Sequence, residues 1–349
     1  MNQMEEKYRC LLECANPIIQ NEAAAFLELQ ADGFRMKMLN HKDVQYWLNC
    51  LLQYAQKPQT HNSADTCLEN SMHKLVSFGV RESDDPRIGE ANRFILDFMY
   101  KNKGNPRFYD SVNPTITASW LACMGCEDDL VVEILRERVE AVYSFTKGGN
   151  YDIYLDPAGY PPIPKERAKH PFVNPALYEG NVWRLPSVHD VFAYANLPKI
   201  LARDHSIRQM IDTAITYIMD ERYQRLPIGY GLMLVRPKSY YGMGWSMHLY
   251  RYFENSPLGL SGVVWNMELL SHFKRARETD WFKDTLRHLE GFEKDGLYEF
   301  PCEYVSERKN QYYVGGGHMG LGEDRRQKAG RKIESTAWML RILRNCEPV

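Results

Sequence analysis

The 349-residue sequence lacks the features that mark several broad classes of protein. Its formal net charge is -2, so it has no basic excess of the kind that binds nucleic acids or anionic membranes. No apolar run reaches the roughly 18 residues that a membrane-spanning helix needs. The N-terminal stretch MNQMEEKYRCLLEC has no basic region followed by an apolar core, so we expect no signal peptide.

Cysteine clusters and phosphate-binding motifs are also scarce. Eight cysteines in a chain of this length do not form the dense disulfide framework of a small secreted domain. The pair in CMGC, Cys123 and Cys126, lacks the second pair that a zinc site needs. No glycine-rich loop follows a predicted strand, so nucleotide binding has no support. We therefore expect a cytoplasmic globular protein that needs neither a metal nor another cofactor.

What the sequence does contain is a repeated helix–turn–helix pattern. Four segments each show an apolar helical stretch, a short polar turn that ends in aspartate, and a second apolar helical stretch. After each aspartate the apolar residues recur at helical spacing, which is typical of an amphipathic helix. The aspartates are predicted N-caps, because a carboxylate accepts hydrogen bonds from unpaired amides of the first turn. They are Asp85, Asp129, Asp204 and Asp280.

The hairpins predict a closed ring. A helical hairpin cannot bury its apolar face alone, so neighbouring hairpins must stack. The intervals between the aspartates are uneven, which suits a ring with long loops at one end better than a regular solenoid. Further helices in KDVQYWLNCLLQYAQ, NEAAAFLELQ and KIESTAWMLRILRN bring the total to about twelve. We expect an all-α fold, a single toroid over residues 1–349, with N-terminal helices at 1–60 and repeated hairpins over 63–346.

The segment DDPRIGEANRFILDFMYKNKGNPRFYD resembles the repeat of squalene-cyclase-like and prenyltransferase-like proteins, in which a DPR phrase follows an inner helix. VNPTITASWLACMGCEDD stands where those families place the next inner helix. IGYGLMLVRPKSYYGMGWSMHLYRYFE and GRKIESTAWMLRILRN fit their closing repeats. The resemblance implies the (α/α)6 toroid of the terpenoid cyclase superfamily, with a cavity at the centre of the ring.

The sequence departs from the motifs that carry the best-known chemistry of those families. Class II terpene cyclases use an Asp-x-Asp-Asp motif, whereas the nearest string here is ESDD at residues 82–85, in a turn between two helices. The zinc-ligand pattern of the protein prenyltransferases is not recognisable, nor is the aspartate-rich magnesium motif of class I synthases. The resemblance therefore predicts the architecture rather than a particular reaction.

The segment WRLPSVHDVFAYA carries the predicted proton-transfer residues. A helix that opens at Pro186 or Ser187 places His189 and Asp190 in its first turn, at the end of the ring where loops converge. A histidine beside a carboxylate can serve as a general base or acid. Helix capping and complementarity with the helix dipole are the alternative.

The segment KSYYGMGWSMHLYRYF is the second predicted part of the site. Its residues at 245, 248 and 252 have the spacing of one helical face, and we expect this face to line the same cavity as WRLPSVHDVFAYA. Tyr241 and His248 are predicted to orient a substrate, with core packing as the alternative. The predicted substrate-binding residues are Tyr240, Trp245, Tyr252, Trp183, Cys302 and His318.

Cys302 and His318 lie in a long, glycine-containing loop region, and long loops in compact folds are often functional. A Cys–His pair is able to act as nucleophile and base or as two metal ligands, but the sequence offers no third ligand. The chain also has 22 tyrosines, many of them in the segments between hairpins. Two of those segments, YDIYLDPAGYPPIP and GLYEFPCEYV, are predicted to be extended loops or short hairpins.

These patterns leave three functional classes open. We favour an enzyme that applies acid–base chemistry to a hydrophobic, isoprenoid or ring-bearing small molecule, as a cyclase, isomerase or hydro-lyase. A non-catalytic scaffold or binding protein is the second class. A carbohydrate-active hydrolase or lyase is the third, and it would need a carboxylate pair, or a basic residue with tyrosine and histidine, in an open cleft. We expect no nucleic-acid partner, and the oligomeric state is left open.

Overall fold

The computed structural model describes residues 3–30, 32–58, 64–105, 113–237, 239–254, 260–308 and 313–347. Most of these residues are helical, and the strands among them form only two short antiparallel hairpins. The expected all-α class is therefore confirmed for the described ranges. The closed ring of hairpins stays a prediction.

The described residues form sixteen α-helices and four strands. The helices are α1 (Gln3–Leu12), α2 (Pro17–Phe26), α3 (Asp32–Leu39), α4 (Lys42–Ala55), α5 (Leu68–Ser77), α6 (Pro86–Lys101), α7 (Asn113–Cys123), α8 (Asp129–Thr146), α9 (Val188–Ala195), α10 (Lys199–Arg203), α11 (His205–Met219), α12 (Glu221–Gln224), α13 (Ser261–Ser271), α14 (Lys274–Arg277), α15 (Asp280–Glu290) and α16 (Lys328–Cys346). The strands are β1 (Leu232–Arg236), paired with β2 (Ser239–Gly242), and β3 (Glu293–Lys294), paired with β4 (Leu297–Tyr298).

The chain divides into two compact units. The first unit consists of Met1–Met99, Cys123–Cys126 and Tyr250–Val349. The second unit consists of Tyr100–Ala122 and Glu127–Leu249.

Two of the four predicted aspartate caps are confirmed. Asp85 precedes α6, and its Oδ1 accepts a hydrogen bond from the Arg87 amide at 2.9 Å. Asp204 precedes α11, and its Oδ1 accepts hydrogen bonds from the amides of Ser206 at 3.0 Å and Ile207 at 3.4 Å. In both cases the carboxylate satisfies amides that have no carbonyl partner within the helix.

The other two predicted caps, Asp129 and Asp280, are wrong by one residue. Asp128 caps α8, because its Oδ1 accepts a hydrogen bond from the Leu130 amide at 2.9 Å. Thr279 caps α15 through its hydroxyl. Asp129 and Asp280 are the first helical residues, where a negative charge complements the helix dipole. The apolar spacing predicts the helix, but it does not decide which of two adjacent polar residues is the cap.

An alanine pair tests the corrected cap of α8. We expect Asp128→Ala to lower the free energy of unfolding by about 1 kcal/mol, because it leaves a first-turn amide without its acceptor. Asp129→Ala removes only a favourable charge and should cost less than about 0.5 kcal/mol. Urea denaturation of the two variants measures the difference, and equal losses would contradict the assignment of the cap.

The additional predicted helices are present with shifted ends. KDVQYWLNCLLQYAQ corresponds to α4, and KIESTAWMLRILRN lies within α16. NEAAAFLELQ overlaps only the second half of α2, which begins at Pro17 because Asn16 accepts a hydrogen bond from the Ile18 amide. GLYEFPCEYV contains β4 and a short 3-10 turn, as expected for a short hairpin.

The helix predicted in WSMHLYRY is wrong. Residues 243–251 contain neither helix nor strand and follow the β1–β2 hairpin directly. The Met247 amide donates to the Tyr223 hydroxyl at 3.1 Å, and the Leu249 amide donates to the Gln224 side chain at 2.9 Å. Side chains of α12 thus satisfy backbone groups that a helix would have paired internally. Three residues that the sequence placed on one helical face therefore do not lie on a common helix. They are Trp245, His248 and Tyr252.

Within the first unit, α13 packs against α16, and α4 packs against α5. The segment that follows the 3-10 turn at Tyr313–Gly315 runs across the start of α13. At Gly316, where φ is +73°, a Cβ atom would lie 2.6 Å from the backbone of Ser261. Only glycine combines this left-handed conformation with so close an approach. This contact fixes the chain just before it enters the region of the candidate site.

Candidate functional site

The first unit contains a cavity of about 600 Å³, which we call the charged pocket. Its position is set by α4, α5, the segment around Glu307 and the irregular segment between His318 and α16. Four cationic and four anionic side chains line it, together with two aromatic rings and two glycines. These residues are Lys42, Lys74, Arg325, Arg326, Asp43, Glu307, Glu323, Asp324, Trp47, Phe78, Gly320 and Gly322.

Lys74, on α5, is the buried cation of the charged pocket. Its side chain is only 5% exposed. The Nζ atom forms an ion pair with Glu307 and donates a hydrogen bond to the Gly320 carbonyl at 2.9 Å. It also lies 5.7 Å from the centroid of the Phe78 ring. A buried ammonium is costly unless it is paired, and these contacts provide the pairing.

Glu307 is the best-connected anion of the charged pocket, and its side chain is one-third exposed. Its Oε1 accepts a hydrogen bond from the Gly320 amide at 2.6 Å, and its Oε2 lies 3.3 Å from His318 Nδ1. A Cβ at Gly320 would lie 2.6 Å from Oε1, so glycine leaves the room that the carboxylate needs. Burial acts to raise the pKa of Glu307, but Lys74, His318 and Arg325 outweigh burial and lower the pKa to about 2.

The pKa of Glu323 shifts in the opposite direction from that of Glu307. Glu323 lines the same pocket and is half-buried. Burial raises the pKa of this carboxyl group above its ordinary value, although the Asn16 side chain opposes the shift. One pocket therefore holds a carboxylate that is strongly ionised and a carboxyl group that keeps its proton to higher pH.

Arg325 connects the charged pocket to a second, deeper glutamate. Its Nη2 lies 3.9 Å from Glu307 Oε1, and its Nε lies 3.2 Å from Glu334 Oε2. Its Nη1 donates a hydrogen bond to the Val305 carbonyl. The guanidinium is thus held between two carboxylates, one at the pocket and one on α16.

Glu334, on α16, is fully buried. Its Oε1 accepts hydrogen bonds from the amides of Leu321 at 2.7 Å and Glu323 at 2.9 Å. Burial raises the pKa of Glu334 to about 7, against the attraction of Arg325 and the two amides. Its carboxylate is therefore close to half-ionised at neutral pH.

Sequence reasoning predicted only His318 of this group and missed the lysine, the arginine and the glutamates. A signal does exist on α16, where Glu334, Trp338 and Arg341 have the spacing of one helical face. All three are buried. Charged residues on an otherwise apolar buried face need partners, so such positions are candidates for a site.

The predicted catalytic residue Asp190 lies in the second unit and is completely buried. Its two carboxylate oxygens each accept a hydrogen bond from Arg138 at 2.7 Å, from Nε and Nη2. Oδ2 also accepts from the Ser187 amide at 2.6 Å, which completes a capping box at the start of α9. Arg138 in turn donates to the carbonyls of Trp183 and Leu185. These contacts give Asp190 a structural role, and its catalytic role stays a prediction.

Its neighbour His189 is also completely buried, and its ring lies edge-on to Trp245 with centroids 6.3 Å apart. Tyr241, on β2, is 43% exposed, and its ring lies 6.1 Å from that of Trp245. The Val188 amide donates to the Trp245 carbonyl at 2.8 Å. The structure thus brings the WRLPSVHDVFAYA and GWSMHLY segments into contact. His248, in the second segment, is half-buried, whereas His189 is completely buried.

Tyr240 and Trp183 are core residues of the second unit. The Tyr240 hydroxyl donates to the Pro161 carbonyl at 2.5 Å, and its ring packs against Phe172 and Leu232. The Trp183 ring is 8% exposed and packs edge-on against Tyr230 at 6.0 Å between centroids. Packing explains these contacts without a ligand.

The remaining predicted residues, Tyr252, Cys302 and His318, belong to the first unit. Tyr252 stacks on His288 with ring centroids 3.8 Å apart. Cys302 is exposed, whereas His318 is buried and faces Glu307. A functional pairing of Cys302 with His318 stays a prediction. The structure shows instead that His318 has the carboxylate of Glu307 as a partner.

In the ranges that the structure describes, no group of three or more His, Cys, Asp or Glu side chains is arranged to hold a metal ion. No helix in those ranges has the length and apolar character to cross a membrane. Comparison of the chain with known protein families, curated proteins and solved structures gave no match. A proposal for its function therefore depends on the residues described above.

Proposed function

We propose that the protein is an enzyme of the glycoside hydrolase type that acts on an uncharged carbohydrate in the charged pocket. The observation that carries this proposal is that two glutamates with opposite pKa shifts, Glu307 and Glu323, line one cavity. Glycoside hydrolysis needs a carboxyl group that gives a proton and a carboxylate that stays ionised. This corresponds to the third functional class that the sequence left open.

The lining of the pocket supports an uncharged, hydroxyl-rich substrate. With Glu323 protonated, four cationic and three anionic side chains remain, so the cavity offers many donors and acceptors with little net charge. Trp47 and Phe78 supply aromatic surfaces against which the C–H face of a sugar ring can pack. A purely hydrophobic substrate would exclude water from these charged groups without offering hydrogen bonds in its place.

The two glutamates take different roles in this mechanism. Glu323 gives its proton to the glycosidic oxygen as the bond to the leaving sugar breaks. Glu307 remains ionised and either activates a water molecule or stabilises the positive charge that develops on the sugar ring. Lys74 and Arg325 keep Glu307 ionised and fix its orientation. The chain itself thus supplies the acid, the anion and the groups that hold the anion.

In this proposal the fold is the α/α toroid that the sequence predicts. The packing of α1 against α16 in the first unit supports it, because a closed ring requires the first and last helices to meet. Solution scattering of the whole protein, compared with the profile of a closed toroid, tests this part separately.

A reducing-end assay on a panel of neutral oligosaccharides tests the activity. We expect release of new reducing ends by the wild-type protein. Glu323→Gln and Glu307→Gln should each lower kcat by roughly 100- to 10,000-fold, which is the usual cost of removing a positioned acid or base. Circular dichroism should show that both variants remain folded.

Glu299→Gln is the matched control. Glu299 is a glutamate of the same unit, paired with Arg331 and Lys328, and it does not line the charged pocket. This variant should keep wild-type kcat. Turnover that is unchanged in both Glu307→Gln and Glu323→Gln would refute the proposal, as would the absence of any released reducing ends across the panel.

The aromatic cluster of the second unit supports a second candidate function, the cyclase- or isomerase-type reaction implied by the resemblance. The Trp245 ring lies within contact distance of both the His189 ring and the Tyr241 ring. Such rings tolerate developing positive charge on an isoprenoid. Conversion of a polyprenyl alcohol by the wild-type protein, abolished in His189→Gln, would favour this function over carbohydrate hydrolysis.

A further inference from the structure

Half of the charged pocket is built from one irregular segment. Residues 320–326, which we call the pocket wall, supply six of its twelve lining residues. The wall contains neither helix nor strand. Its backbone amides therefore lack the regular partners that would hold it in place, and other groups must supply them.

Glu334 supplies the partners of two wall amides, while the amides at the two ends of the wall, Gly320 and Arg326, donate to Glu307 and Asp324. Glu334 Oε1 accepts hydrogen bonds from the amides of Leu321 and Glu323, at 2.7 and 2.9 Å. Its Oε2 pairs with the guanidinium of Arg325 at 3.2 Å. Three alternate residues of the wall are thus attached to one side chain, which projects from a long helix.

The geometry points to Glu334 as the positioning residue of the charged pocket: it holds the wall, and through Arg325 it sets the charge that faces Glu307. The assignment of a chemical role to Glu307 rests on the proposed function, but the attachment of the wall does not. Glu334 does not line the cavity, so it acts through its neighbours rather than on a substrate.

The attachment of the pocket wall to Glu334 should change in strength with pH. The charged and titratable groups around Glu334 are Arg325 and Glu323 from the wall, Lys74 from α5, and Glu307 and His318 beside them. Burial raises the pKa of Glu334 to about 7. Above that pH the ionised carboxylate attracts Arg325 and the two amides, and below it a neutral carboxyl group holds them less strongly.

Hydrogen–deuterium exchange of the wall tests this inference. In the wild type we expect the protection factors of the Leu321 and Glu323 amides to rise about tenfold between pH 6 and pH 8, as a charge-assisted hydrogen bond replaces a neutral one. Glu334→Gln keeps a carbonyl acceptor but no charge, so its wall should show no such rise. Glu299→Gln should behave like the wild type.

Two outcomes would overturn the inference: wild-type protection that does not change with pH, or the same rise in Glu334→Gln. If Glu334→Ala unfolds the protein, the glutamine variant still decides the question. A saccharide that the wild type cleaves adds a second readout, because Glu334→Gln should flatten the pH profile of kcat/KM near pH 7. Failure to find any such saccharide counts against the proposed function alone, since the exchange measurement needs no substrate.

Discussion

An Arg138→Met variant is expected to lower the free energy of unfolding by about 3–5 kcal/mol, the usual cost of breaking a buried ion pair by removing one partner. The side chains of Arg138 and Asp190 are 7% and 0% exposed. Methionine leaves Asp190 charged and buried with only the Ser187 amide and hydroxyl as donors. It also leaves the carbonyls of Trp183 and Leu185 without their guanidinium donor. Thermal or urea denaturation measures the loss.

Arg136→Met is the matched control, because it lies on the same helix and pairs with a carboxylate at the surface. Arg136 contacts Asp204 at 3.1 Å, with side chains 38% and 29% exposed. Such a pair is worth less than about 1 kcal/mol. A double variant, Arg138→Met with Asp190→Leu, should recover part of the loss since no charge stays buried. Equal stability of Arg138→Met and Arg136→Met would contradict the structural role of the buried pair.

A substitution of Asp190 itself separates the structural role of this residue from the catalytic role that the sequence predicts. Asp190→Asn removes the charge opposite Arg138 and weakens the capping box of α9, so we expect it to reduce stability. If Asp190 instead transfers a proton, a folded Asp190→Asn protein would lose catalysis at a temperature well below its unfolding midpoint. The measurement therefore bears on the sequence-based hypothesis directly.

The sequence predicts the starts of α6, α8, α9, α11 and α15 to within one residue, because caps and amphipathic stripes depend on neighbouring residues. Ser187, one of the two helix starts that the sequence allowed, caps α9, and Asp190 lies three residues later as its capping-box partner. The apolar spacing after Asp204 likewise predicts α11. A cap and the first residues of its helix lie within about one helical turn of each other, so the sequence alone is enough to predict them.

The partners of buried charges do not follow from the sequence, because they come from distant parts of the chain. Arg138 meets Asp190 across 52 residues, and Lys74 meets Glu307 across 233. Neither pair has a spacing that a motif could show. The helix predicted in residues 243–251 is wrong for a related reason. Side chains of α12 accept hydrogen bonds from backbone amides of this segment, and this tertiary contact overrides the helical pattern of the sequence.

Glu334 should make the protein less stable as the pH rises from about 4.5 to about 7. Its ordinary pKa, which applies in the unfolded chain, is 4.5, and burial raises the pKa in the folded protein to about 7. Between these values the unfolded chain releases the proton while the folded protein retains it, so ionisation favours unfolding. The shift corresponds to about 3 kcal/mol of folding stability. This contribution is present in full below pH 4.5 and is lost by the time the pH passes 7.

Glu334→Gln isolates this contribution, because glutamine does not titrate. The difference in unfolding free energy between wild type and Glu334→Gln should change by about 3 kcal/mol in favour of the variant as the pH rises through this window. Glu307 does not interfere, since its pKa is lowered to about 2 and its contribution is lost only as the pH falls below 4.5. Histidines such as His73, whose pKa burial lowers, are common to both proteins and cancel in the difference. A difference that stays constant from pH 4.5 to pH 7.5 would mean that Glu334 is ionised throughout, with Arg325 and the two amides outweighing its burial.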